Sequence, residues 1–193
     1  MRNARELKRE FILLLDQLVR SREFRKRLLF FADSGNSFES WLNWELAWVF
    51  AKNHPWPRYS VARESRLDGG GLADLVLAVG SEYQPGVPAC YVETKLIWAN
   101  ANRGKMVRFA VDDFRRLRGL KDGVMVVVAV SAAQESQLNV EPADVTLTEF
   151  EKALERAGIV ESRNIFDCHL EASNRGEWYL RPRIHIRAYQ AGV

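Results

Sequence analysis

Apolar and polar positions follow two different periods along this chain. Over residues 2–32, Phe11, Leu14, Leu15, Leu18 and Val19 recur at helical spacing and predict one long amphipathic helix. Residues 38–50 predict a second, with an apolar stripe of Phe38, Trp41, Leu42, Trp48 and Val49 interrupted by Glu45. Glu39 lies about a sixth of a turn off that stripe. Residues 59–66, 72–79 and 89–97 then read as strands. The first two are joined by a glycine turn over 67–71, the last two by a Pro- and Gly-rich, hairpin-type loop over 80–88. Residues 99–120 read as a helix with Met106, Ala110, Asp113, Phe114 and Leu117 on one side and Gly119 as its cap. The unbroken apolar run 124–130 marks a strand buried on both faces of an α/β sheet. Thr146-Leu-Thr-Glu149 reads as a capping box opening a helix that Gly158 closes. Residues 164–172 and 177–189 read as strands about a turn at 173–176, with Pro182 marking an edge or a bulge.

Three of these elements carry charge where their pattern calls for apolar side chains. Alternate residues of a strand share a face, so Glu93 and Lys95 stand side by side between Tyr91 and Ile97. Asp74 shares a face with Leu72, Val76 and Ala78, and antiparallel pairing of the two strands brings it beside Glu93. Glu45 occupies an apolar position of its helix, with Glu39 as the second candidate for that acid. Buried charge is costly unless it is paired or bound to metal. Convergent carboxylates make a hard oxygen site suited to Mg²⁺. A neighbouring lysine suits the orientation of a water or the stabilisation of charge on a phosphate. An acid-x-lysine pattern alone is common, and it recurs at Glu6-Leu7-Lys8. The placement on adjacent strands is what singles out Glu93-Thr94-Lys95.

The order helix-Glu, strand, strand-Asp, strand-Glu-x-Lys, helix, strand resembles the PD-(D/E)xK superfamily, the restriction-endonuclease-like nucleases, over residues 38–132. Leu72-Ala73 stand where the proline of the superfamily's name would precede Asp74. The resemblance implies a single α/β domain over 1–193. Its restriction-endonuclease-like core would be a central mixed β-sheet flanked by helices, with a helical N-terminal extension over 1–35 and a C-terminal helix plus β-hairpin over 143–193. It implies that Asp74, Glu93, Lys95 and Glu45 are catalytic. Asp74, Glu93 and Glu45 would hold Mg²⁺, with Mn²⁺ as a substitute. The implied activity is endonucleolytic hydrolysis of nucleic-acid phosphodiesters, DNA being the expected class, in restriction, repair or phage defence. The alternative is an inactive nucleic-acid- or protein-binding module on the same fold. A homodimer would be one way to cut two strands.

Charge adds to this picture chiefly through its form. The net charge is +3, carried by 21 arginines and 7 lysines against 25 acids. Arginine favours bidentate phosphate contacts and stacking. Arg103, Lys105, Arg108, Arg115, Arg116 and Arg118 on the helix after the motif form one candidate nucleic-acid surface; Arg181, Arg183, His185 and Arg187 form another. Trp98 and Trp56 flank the expected cleft as base-stacking candidates, whereas Trp41, Trp44 and Trp48 are expected in the core. His54, His169 and His185 fit no zinc spacing and read as structural or solvated. Cys90 and Cys168 match no metal spacing and point to a reduced, cytoplasmic setting. The basic N-terminal segment is too charged to span a membrane and lacks a signal-cleavage pattern, so no membrane association is expected.

Overall fold

A computed structural model describes residues 3–66, 71–84, 86–120, 122–132, 142–159, 163–172 and 180–191. Residues 67–70, where most of the glycine turn is expected, and residues 173–179 lie outside them. The fold is α/β in three layers. On one face of the sheet lie α1 (Ala4–Arg20), α2 (Arg22–Asp33) and α3 (Glu39–Asn53); on the other lie α4 (Arg103–Arg118) and α5 (Ala143–Arg156). The sheet comprises β1 (Tyr59–Arg66), β2 (Leu72–Val79), β3 (Ala89–Trp98), β4 (Gly123–Ser131), β5 (Arg163–Glu171) and β6 (Arg183–Ala191), in the order β1-β2-β3-β4-β6-β5. Only β3 and β4 run parallel, and α4 is the crossover that a parallel pair requires.

β4 is buried along its whole length, as its unbroken apolar run predicts. Val124, Val126, Val128 and Val130 face α1–α3, whereas Met125, Val127 and Ala129 face α4 and α5. Fully burying each such Val or Met side chain contributes about 1.5–3 kcal/mol. Gly123 opens the strand where no larger residue fits: a Cβ there would meet Leu117 Cγ at 2.7 Å.

The sequence expectations hold for the first four strands and differ elsewhere for local reasons. The N-terminal helix is interrupted at Ser21, whose extended backbone (φ −66°, ψ 123°) ends α1. The Ser21 hydroxyl accepts the Phe24 amide hydrogen at 3.5 Å and so caps α2. α5 begins at Ala143 behind Pro142, which places Thr146 inside the helix, buried, rather than at its cap. Gly158 closes that helix in a left-handed conformation (φ +72°), as expected. Pro182 immediately precedes β6, which is an interior strand; the edges are β1 and β5. The two C-terminal strands therefore complete the same sheet. Among the described residues no helix is long and apolar enough to cross a membrane.

Candidate active site

β2 and β3 pair only from Leu75↔Val92 to Ala78↔Ala89. Beyond Val92, β3 continues beside β4 without β2. Backbone amides away from water need acceptors, and here side chains replace the missing strand. Asp74 Oδ2 accepts from Thr94 N–H at 2.7 Å. Glu39 Oε2, reaching in from α3, accepts from Leu96 N–H at 3.0 Å. Met106 Sδ, from α4, accepts from Trp98 N–H at 3.3 Å. Three successive alternate amides of β3 are thus capped by three different elements.

Glu93 and Lys95 meet at this fork. Lys95 Nζ lies 2.7 Å from Glu93 Oε1, 2.9 Å from Asp113 Oδ2 and 3.8 Å from Glu39 Oε1. Asp113 also pairs with Arg116, whose side chain lies against Gly71 at the start of β2. Burial raises the Glu93 pKa, and nearby Asp74 raises it further; Lys95 and a backbone hydrogen bond from Asp74 work against this. Burial likewise raises Glu39, against the pull of Lys95 and the Leu96 amide. For Lys95, burial acts downward, but Glu93 and Glu39 outweigh it and the pKa is raised. The ammonium therefore persists at neutral pH. Four carboxylates (Glu39, Asp74, Glu93 and Asp113) surround two cations, Lys95 and Arg116, so the fork favours further positive charge.

The structure brings Asp74, Glu93 and Lys95 together, and the acid of α3 that joins them is Glu39 and not Glu45. Glu45 pairs with Arg27 of α2 at 3.1 Å and makes no contact with this cluster, whereas Glu39 does. α3 buries Leu42, Asn43, Leu46, Ala47 and Phe50. Glu39 lies on that inward face, three, four and seven residues before Leu42, Asn43 and Leu46, and Glu45 is about a third of a turn away from it. Trp44 and Trp48, expected in the core, are instead 61% and 66% exposed. The Arg63 guanidinium lies 4.0 Å above the Trp44 ring. Trp41 does pack, against Phe24 and Phe31. Asp113 is not among the sequence-derived candidates; its signal is an acid on the otherwise apolar side of its helix.

The expected nucleic-acid residues divide. Arg103 pairs with Glu149 at 2.7 Å, and Arg115 with Asp112 at 2.7 Å. Lys105 lies over the Phe109 ring, and Arg108 lines a groove of about 620 Å³ between α4 and α5 together with Arg115, Lys152 and Arg156. None of the fork residues lines that groove. Trp98 is half-buried and edge-on to Phe38, so its ring is engaged in packing; Trp56 is exposed. In the C-terminal basic group, His185 is buried, Arg187 pairs with Asp167 and Glu151, and Arg183 faces Glu171.

The donor set at the fork suits a hard cation. Mg²⁺ is bound through one or two carboxylates and keeps several waters. Asp74 and Glu93, adjacent across the end of the β2–β3 ladder, supply such a pair in a surplus of negative charge. Glu45 is outside this set. No family model matches the chain, and no curated protein matches it.

Proposed function

We propose that the chain is a metal-dependent nuclease of the PD-(D/E)xK type on a restriction-endonuclease-like core, hydrolysing phosphodiester bonds, with DNA as its substrate class. The observation that carries this reading is the meeting of Asp74, Glu93 and Lys95 where β2 leaves β3. Asp74 and Glu93 are the residues that would hold Mg²⁺ or Mn²⁺. When bound, such an ion polarises a phosphoryl oxygen and lowers the pKa of a water.

The remaining chemistry belongs to the chain itself. Lys95 keeps its proton at neutral pH, and its ammonium is a donor for an attacking water or for the charge that builds on phosphorus. Glu93 and Asp113 fix the ammonium from two sides. Glu39 acts as a positioning residue, holding the Leu96 amide and facing Lys95. The test is a cleavage assay with Mg²⁺ or Mn²⁺ on plasmid, single-stranded DNA, branched DNA and RNA, with Glu93→Ala alongside. Cleavage by the wild type alone, abolished by EDTA, supports the reading. Equal cleavage by both proteins, or none of any substrate, argues against it.

A further inference from the structure

A second cluster lies on the opposite side of the sheet order, where β5 and β6 join residues that the sequence keeps apart. Their register sets His169 opposite His185 and Asp167 opposite Arg187. The two imidazole rings lie 3.5 Å apart, centroid to centroid. Asp167 Oδ1 is 2.8 Å from His185 Nε2 and 3.5 Å from His169 Nε2. One ligand atom from each of the three residues lies within 4.8 Å of the others, the one such trio among the described His, Cys, Asp and Glu side chains. Around a tetrahedral zinc ion, neighbouring ligand atoms sit about 3.3 Å apart. The two distances seen here bracket that spacing.

Two of the three side chains are held in place. His185 is only 1% exposed, with its Nε2 toward Asp167 Oδ1. Asp167 is held from behind: Arg187 Nε donates to Oδ2 at 2.6 Å, and Arg187 is itself braced by Glu151 at 2.8 Å. This leaves Oδ1 facing the imidazoles, oriented by an outer hydrogen bond as metal-ligating carboxylates are. Beside the histidines, a hollow of about 270 Å³ lined also by Asp144 and Glu171 leaves room for water on the remaining coordination positions. Two imidazoles and one carboxylate select borderline transition metals over Mg²⁺.

We propose that Asp167, His169 and His185 form a binding site for a divalent transition metal of the Zn²⁺ class, separate from the carboxylate fork. The ion clamps the edge strand β5 to β6 and keeps an open position toward the hollow.

The test is calorimetric titration of Zn²⁺ into Glu93→Gln protein, so that the fork is weakened, with Co²⁺ absorption spectra in parallel. One equivalent of Zn²⁺ should bind, and Co²⁺ should give a visible band. Adding His169→Ala or Asp167→Asn should weaken Zn²⁺ binding at least about tenfold and abolish the band. The His169 side chain is 63% exposed, so its removal leaves the fold in place, as circular dichroism would verify. Absence of Zn²⁺ uptake, or uptake unchanged by both substitutions, overturns the proposal. Neither result depends on whether the fork cleaves DNA.

Discussion

Asp74 Oδ2 accepts the Thr94 amide hydrogen at 2.7 Å, standing in for a strand partner that β2 no longer provides. The residue thus has a structural duty beside its proposed chemical one, and substitutions separate them. Asp74→Asn keeps an acceptor oxygen, whereas Asp74→Ala strands the amide at a cost of about 1–3 kcal/mol. Both should lose cleavage by about a hundredfold or more. Urea denaturation and cleavage rates on the same samples check this, and equal stabilities would show that the contact contributes nothing.

Glu39 and Glu45 sit on one helix with different partners, Lys95 and Leu96 for the first, Arg27 for the second. Glu39→Gln should slow cleavage about tenfold or more by loosening Lys95. Glu45→Gln should leave the rate unchanged and cost no more than about 1 kcal/mol, the ordinary worth of a part-exposed ion pair. Rate constants at saturating metal decide between them; a slow Glu45 variant with a normal Glu39 variant would reverse the assignment.

The raised Glu93 pKa gives a pH signature. Burial is the main cause and Asp74 the next, so the folded chain holds this proton more tightly than the unfolded chain does. The stability linked to that proton is fully present below the ordinary pKa of 4.5 and is lost as pH rises through the folded value. Glu93→Gln cannot ionise and should melt above the wild type at pH 8, with the gap closing toward pH 4. Melting curves across that range test the sign. A Glu93→Gln protein that melts lower at pH 8 would mean that the pair with Lys95 outweighs burial.

Arg108 lines the α4–α5 groove without an ion-pair partner among the described residues, whereas Arg115 is held by Asp112. Under the nuclease reading, Arg108→Ala should weaken DNA binding and reduce the salt slope by about one, and Arg115→Ala should do less. Fluorescence anisotropy over a salt series, on cleavage-silent Glu93→Gln protein, measures both. Unaltered slopes would remove the groove from the binding surface.

The strands around the fork were legible because alternation, turns and an unbroken apolar run each mark one element. Asp74, Glu93 and Lys95 stood out because charge interrupts those patterns. α3 was harder to read. Its tryptophans and aliphatics are spread around the helix, so the inward face, Leu42, Leu46 and Phe50, is no more apolar than the outward one with Trp44 and Trp48. Counting tryptophan as core tilts the apolar stripe toward Glu45 and away from the inward face that carries Glu39. The His169–His185 pair was invisible for another reason: only the β5–β6 register joins residues that lie on different strands.

The sheet order has a consequence for synthesis. β6, formed by residues 183–191, lies between β4 and β5, so an interior strand is translated after both of its neighbours. Every fork residue, from Glu39 to Arg116, is translated well before it. Until β6 arrives, the apolar strand β4 has one edge open, the kind of surface on which nascent chains associate wrongly. The proposed catalytic half of the molecule is translated before β6, and the open edge of β4 is covered only once that nine-residue strand pairs with it.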